Sequence, residues 1–294
     1  MADKRLLGVF AHPDDESFGP GGTMARYATE GEVHLLCGTR GEVGDVDDHL
    51  LEGYASIADL RTQELECAVQ KLGVQHLDYL GYRDSGMPGT ETSRHPECLA
   101  QADVARVAEQ IVTHIRCFKP QVIVTFDQFG GYGHPDHIAI HQATVLAFRA
   151  AGDPTQYPDA GAPYQPQKLY YHSFPKTIMR AMVWAMPLFG KDPTKFGRNG
   201  DIDLREIATW DVPTTTRIDI RPWYAERTAA AACHVSQGGG VGMWRGVPRA
   251  VQKRLMGFET FYRAAPNFPK GAPVEKDMFA GVFLGDKTEG RTQA

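Results

Sequence analysis

Two short runs concentrate the side chains from which chemistry could be built: His12-Pro13-Asp14-Asp15-Glu16 and Gly130-Gly131-Tyr132-Gly133-His134-Pro135-Asp136-His137. Both pair imidazole with carboxylate within a few residues. A hydrolytic zinc site draws on these ligand types, needing three protein ligands and a fourth position left for water. Pro13 stops a strand and puts the acidic residues at the start of the next helix, where unpaired amides and the helix dipole favour carboxylates. Pro135 suits a first helical position. Taken alone, each His-Pro-Asp triplet reads as a turn with a helix cap. Two of them, each at a strand-to-helix junction on one edge of one sheet, are better explained by a metal site than by packing. Spacing leaves the ligands of the second run open: His134 and His137 are three apart, His137 and His141 four apart, and either pair can share a helical face. His141 is expected to pack or to support a ligand.

The elements that must position these runs follow from apolar periodicity. Strand-like segments end at Ala11, Cys37, Leu80, Asp127 and Ser173, alternating with helix-like segments near 17–30, 54–72, 101–118 and 136–151. That rhythm predicts an α/β, Rossmann-like fold: a mainly parallel sheet with flanking helices, whose ligands bind outside the carboxyl ends of the strands. Residues 1–175 are expected to form the α/β core that carries the metal site. Residues 176–294 are expected to form an appended C-terminal α+β subdomain of the same domain, facing the substrate. Within it, 176–207 is rich in Met, Gly and Pro and reads as a long loop or insertion. Strands are expected over 207–212 and 215–220, helices near 222–234 and 249–262, and a terminal strand or arm with a frayed tail from Lys276 onward.

With 294 residues, 42% of them hydrophobic, the chain can bury a core without staples. A net charge of -5 and a pI near 6.1 give no field that would gather phosphate backbones or anionic lipid. Neither nucleic-acid binding nor stable membrane insertion is expected; a small-molecule substrate is, and a homo-oligomer is compatible with the sequence. The apolar stretch 6–11 is too short for a signal segment, and 182–189 falls far short of the ~20 residues that span a bilayer, so the protein reads as cytoplasmic. Cys37, Cys67, Cys98, Cys117 and Cys233 show no C-x-x-C spacing and are expected as small buried hydrophobes in a reducing compartment, not as a disulfide framework. His34, His49, His76 and His114 are expected to lack carboxylate company and to be surface or structural residues.

Ala11-His12-Pro13-Asp14-Asp15-Glu16 and His134-Pro135-Asp136-His137 resemble the two signature motifs of the PIG-L, or LmbE-like, zinc de-N-acetylase family. The similarity extends through Thr39-Arg40-Gly41-Glu42, Arg61-Thr62-Gln63-Glu64-Leu65 and Gly81-Tyr82-Arg83-Asp84-Ser85-Gly86-Met87, covering roughly residues 5–173, with a weaker echo in His234-Val235-Ser236-Gln237. The YRDSGM and GGYGHPDH stretches are most similar to the family's mycothiol-biosynthesis deacetylases, which act on N-acetylglucosaminyl inositol. The resemblance implies zinc-dependent hydrolysis of the acetamide of an N-acetylglucosamine conjugate, releasing acetate and a free amino sugar. It implies that His12, Asp15 and His137 hold Zn2+, or Fe2+ in a reducing cell, and that Asp14 is the general base. His134 would assist the tetrahedral intermediate, with Asp136 holding it cationic and Tyr132 as a second donor to the oxyanion. Arg61 and Asp84 would meet the sugar hydroxyls or the group attached to the sugar, and His234 and Gln237 would line the pocket. Within the same family, an amidase acting on a thiol conjugate or another N-acyl substrate is the alternative.

Two other classes compete. Two histidines and a carboxylate also form the facial triad of non-haem Fe(II) oxygenases, in which Asp14 would have no duty. A dinucleotide-binding module would need G-x-G-x-x-G after the first strand, and Gly19-Pro20-Gly21-Gly22-Thr23-Met24 places Met24 where the last glycine belongs.

Overall fold

The alternating segments assemble into one seven-stranded sheet in the computed structural model, which describes residues 4–174, 176–197, 200, 202–240 and 247–284. Strands β1 (Lys4–Phe10), β2 (Gly31–Cys37), β3 (His76–Tyr79), β4 (Val122–Phe126) and β5 (Lys168–Ser173) run parallel in the order β3-β2-β1-β4-β5. β6 (Thr216–Asp219) and β7 (Phe258–Ala265) extend this sheet antiparallel, with β7 between β5 and β6. From β1 the chain builds outward through β2 to β3, then returns to add β4 on the other side. The crevice between β1 and β4 is therefore the topological switch point, where open α/β sheets bind ligands.

The helices are α1 (Asp15–Phe18), α2 (Gly21–Glu30), α3 (Ile57–Leu72), α4 (Val104–Phe118), the single turn α5 (Gly130–Gly133), α6 (Pro135–Ala150), α7 (Lys176–Ala185), α8 (Leu204–Ile207), α9 (Tyr224–Cys233) and α10 (Arg249–Met256). Ser56 caps α3 by accepting the Asp59 N–H, and Gly73 ends it at φ 71°. Asp103 caps α4 through the Ala105 N–H. The first expected helix divides at Gly19-Pro20 into α1 and α2. β1, β2 and β4 are buried on both faces, as central parallel strands are, by residues such as Leu6, Val9, Phe10, Leu36, Ile111 and Ile140.

The second half departs from expectation in three places. Residues 207–212 form no strand; α8 ends there and a turn follows. The segment expected as a helix over 249–262 stops at Gly257, and Phe258–Ala265 is strand β7. Its Phe, Thr and Tyr residues prefer a pleated surface, and Glu259 accepts the N–H groups of Gly22 and Thr23 at the start of α2 at 2.9 and 2.8 Å. The stretch 176–207, expected as a loop, contains α7 and α8. Residues 285–294, the expected frayed tail, lie outside the described residues. No helix among the described residues is long and apolar enough to cross a membrane.

The cysteine expectation also needs correction. Cys67 on α3 and Cys233 on α9 are joined in a disulfide with Cα atoms 5.9 Å apart, and Cys117 is exposed; Cys37 and Cys98 are free and buried. The paired residues are 166 positions apart and meet only because α3 packs on α9, which no local spacing announces.

Candidate metal centre

β1 hands the chain to His12 at the switch point. The backbone then turns sharply: Asp14 sits at φ 125°, a strained value for a residue with a Cβ, and α1 begins at Asp15, whose Oδ2 accepts the His12 N–H at 2.8 Å. From β4 the chain passes Asp127, whose carboxylate takes the N–H groups of Phe129 and Gly131 at 2.9 and 3.2 Å. Gly130 follows at φ 64°, and a Cβ there would lie 2.9 Å from that of His137, so only glycine fits. His134 then caps α6 with Pro135 at the first position. Both runs thereby deliver buried side chains to one crevice.

The ligand atoms meet there at distances that suit a metal. His12 Nδ1 and His137 Nε2 are 3.1 Å apart; Asp15 lies 3.6 Å from the first through Oδ2 and 3.3 Å from the second through Oδ1. Ligand atoms 2.0–2.1 Å from a tetrahedral centre are about 3.3–3.4 Å apart, near the spacing of the two nitrogens, and the Asp15 carboxylate borders the same point with one oxygen toward each imidazole. The outer nitrogens fix the tautomers. His12 Nε2 donates to Asp136 Oδ2 at 3.1 Å, and His137 Nδ1 donates to the Gly130 carbonyl at 3.1 Å, so a metal that displaced the proton of His12 Nδ1 would meet a lone pair on each inner nitrogen. Burial and the neighbouring His12 lower the His137 pKa to about 4, which keeps that ring a ligand and not a cation. Burial opposes a charge on His12, yet Asp84, Asp136 and Asp15 raise its pKa well above 6.5; the crevice is built to receive a cation.

His134 offers a ligand atom within 4.8 Å of those of His12 and His137, and Asp84 Oδ1 lies 3.4 Å from His12 Nε2. The expected partnership between Asp136 and a cationic His134 is not what the structure contains. The Asp136 carboxylate is taken by His12 and by the N–H and hydroxyl of Ser85, while His134 Nδ1 accepts the Asp136 backbone N–H at 3.2 Å. Accepting at Nδ1 leaves the proton on Nε2, and burial together with His12 and His137 lowers the His134 pKa well below 6.5. These contacts favour a neutral His134 with its Nε2–H free to donate. Burial likewise raises the Tyr132 phenol far above 10, so it keeps its proton.

Asp14 stands beside the ligand set with a carboxyl pushed up to about 7 by burial, against the lowering influence of Arg61 and with Asp15 raising it further. Arg61 donates from Nη2 to the Pro13 carbonyl at 2.6 Å and lies 3.4 Å from Asp14 Oδ2, while Nη1 donates to the Gly41 carbonyl. The residue is buried, clamping the turn from beneath. Asp84 is buried as well and accepts the Gly86 N–H at 2.8 Å. His234 is fully buried: its Nε2 meets Glu16 Oε1 at 2.7 Å, and Glu16 Oε2 accepts the Asp14 N–H at 2.9 Å. Glu64 holds the next turn through the Ser236 N–H and hydroxyl. Gln237 donates from Nε2 to Ser236 Oγ at 3.1 Å. Sequence reasoning had assigned no role to Glu16, Ser85, Glu64 or Ser236. Each is polar inside a matching motif yet fully or almost fully buried, a signal only the fold reveals. His141 donates from Nδ1 to the Phe126 carbonyl at 2.9 Å, as a packing residue would.

Beside Tyr132 and Gly131 opens a cavity of about 280 Å³ lined by Phe18, Met179, Met182, Phe196 and Phe258. It is walled largely by side chains of the second half.

A switch-point crevice that gathers two imidazoles, a carboxylate and a second carboxylate pushed up by burial is the equipment of a metal-dependent hydrolase. The chain belongs to the PIG-L family, whose model, GlcNAc-PI de-N-acetylase, matches residues 7–148. It is 38% identical over 292 residues to the 1D-myo-inositol 2-acetamido-2-deoxy-alpha-D-glucopyranoside deacetylase of Thermobifida fusca, covering 95% of this chain and 100% of that one. It is 36% identical to the mycothiol S-conjugate amidase of Streptomyces coelicolor, covering 96% and 99%. Among solved structures, N,N'-diacetylchitobiose deacetylase from Pyrococcus horikoshii shares the fold, with a TM-score of 0.60 at 19% identity over 88% of this chain and 83% of that one.

Proposed function

We propose that this chain removes the acetyl group from an N-acetylglucosamine conjugate, with 1D-myo-inositol as the aglycone, using zinc held by His12, Asp15 and His137. One observation carries the reading: two imidazole nitrogens 3.1 Å apart share the crevice with the Asp15 carboxylate, which turns one oxygen to each, and Asp14, pushed up to about 7, stands beside them. Bound there, zinc polarises the acetyl carbonyl and lowers the pKa of water from 15.7 to about 7. Asp14 accepts the proton of the attacking water and returns it to the departing amine; a carboxyl near neutrality can do both. Tyr132 and the Nε2–H of His134 donate to the carbonyl oxygen as it gains charge, and one such donor is worth about 2.7–4 kcal/mol in other hydrolases. Arg61, expected to contact the sugar, lies 3.4 Å from Asp14, and Asp84 lies 3.4 Å from His12, which supports a part for both in positioning the base and a ligand. His234 meets Glu16 at 2.7 Å, which supports a part for it behind the Asp14 turn.

The apolar cavity beside Tyr132 favours a second reading, amide hydrolysis of a thiol conjugate carrying an apolar substituent. Inositol, hydroxylated all round, gains little from such walls. A comparison of kcat/KM for N-acetylglucosaminyl inositol, free N-acetylglucosamine and S-alkylated mycothiol separates the readings. The deacetylase reading requires the inositol conjugate to lead; a lead of 10-fold or more for the S-conjugate, at roughly 1.4 kcal/mol per decade, would favour the amidase.

A further inference from the structure

A second group of metal-ligating side chains lies away from the crevice, where β3 forms the edge of the sheet. We infer that His34, Asp78 and His114 bind a divalent transition-metal ion of the zinc, nickel or copper class, stapling the edge strand to β2 and α4. His34 Nε2 is 2.8 Å from Asp78 Oδ2, His114 Nδ1 is 3.8 Å from the same oxygen, and all three ligand atoms lie within 4.8 Å of one another. Three separate elements supply them. Register explains the meeting: Leu36 lies opposite Asp78, so His34, two residues earlier on β2, points to the same face, and α4 covers that face with His114 and Phe118. These partners correct the expectation that His34 and His114 lack carboxylate company.

The group has the features of a site and not merely of an ion pair. His34 Nε2 is hydrogen-bonded to Asp78 Oδ2 at 2.8 Å and His114 Nδ1 faces the same oxygen, so a metal ion entering between them would take the place of the proton on His34 Nε2. The His34 ring is fixed against Phe118 at 5.1 Å between centroids, and His76, opposite His34 in register, flanks it at 5.7 Å. The Asp78 side chain is 53% exposed and that of His114 27%, which leaves an entry path and room for completing waters. Two imidazoles and a carboxylate select zinc, nickel or copper over magnesium or calcium. The location suits a structural role: β3 has four residues and is paired on one side only.

The test is metal stoichiometry. Metal-free protein is dialysed against Zn2+, and in parallel Ni2+, and the bound metal is counted for wild type, His12→Ala, His114→Ala, Asp78→Asn and the His12→Ala/His114→Ala pair, with melting followed for each. Two equivalents are expected in wild type, one in each single variant and none in the pair. Zn2+ should raise the Tm of His12→Ala but not of the double variant, and His114→Ala should release acetate at the wild-type rate. His12→Ala protein that binds no metal, or His114→Ala and Asp78→Asn proteins that bind as much as wild type, would overturn the inference while leaving the first site intact. His114 and Asp78 are partly exposed, so their variants report even if substituting the buried His34 prevents folding.

Discussion

Asp136 Oδ2 stands 3.1 Å from Nε2 of His12, and the N–H of Ser85 fixes the same oxygen at 2.9 Å. The contact decides which nitrogen of His12 carries the proton, and so whether Nδ1 faces the crevice with a lone pair. Asp136→Asn replaces the acceptor with a side chain that can also donate, allowing the opposite tautomer. Zinc affinity, read by competition with a chromophoric chelator, should fall about 10–100-fold. Ser85→Ala should move it in the same direction by less. Unchanged affinity in Asp136→Asn would remove the carboxylate from the support of the metal.

The pH profile follows from Asp14. Its carboxyl lies near 7, and the base must be ionised to act, so kcat/KM should rise as pH passes through about 7 and level above it. Arg61→Met removes the cation that holds that value down, and the acid limb should move to higher pH. The rate at pH 6 should drop more than the rate at pH 9. Stability runs the other way: a carboxyl raised from 3.8 to about 7 stabilises the fold below 3.8 and loses that contribution as pH rises through 7. Metal-free Asp14→Asn protein should therefore melt higher than wild type at pH 8.

His134 should not set the basic limb. Its Nδ1 accepts the Asp136 N–H and burial lowers its pKa, so we propose the neutral Nε2–H tautomer in place of an imidazolium. Replacing His134 with Ala should lower kcat by about 10²–10³, as for one lost oxyanion donor, and leave the acid limb and the plateau above it where they are. A basic limb that vanished in the variant would restore the cationic role.

Glu16 and His234 hold Asp14 in a backbone conformation it would not choose, and they do so without reaching the crevice. Glu16→Gln should keep its metal yet lose about 10–10²-fold in kcat with little change in KM, because the base is displaced by a fraction of an ångström to an ångström. Rescue by Glu16→Asp, or loss of metal in Glu16→Gln, would show that the residue acts on something other than Asp14.

Much of this was legible in the sequence, for physical reasons. Apolar runs long enough to be central strands, ended by His12-Pro13 and by Asp127, give the sheet and both junctions without any long-range information. What failed depended on side-chain direction or distant pairing. Asp136 turns to His12 and not to His134, because His134, two residues earlier, is the extended cap of α6 and only its Nδ1 reaches back to the Asp136 N–H. Arg61 and His234, expected to face the substrate, lie buried, since burial is set by how α3 and α9 pack. The same packing joins Cys67 to Cys233. β7 was hidden within a helical pattern because Leu255-Met256 continues smoothly into Phe258, and only Gly257 marks the break.

The most direct test measures acetate release and bound zinc on the same sample of Asp14→Asn protein, beside Asp15→Asn and a chelator-treated wild type. Asp14 is assigned the proton and Asp15 the metal. Asp14→Asn should retain zinc at the wild-type level while kcat falls about 10²–10⁴-fold, Asp15→Asn should lose zinc from this site and activity together, and the chelated wild type should regain its rate when zinc is returned. An Asp14→Asn protein that lost its zinc, or that kept both its zinc and the full rate, would contradict the account.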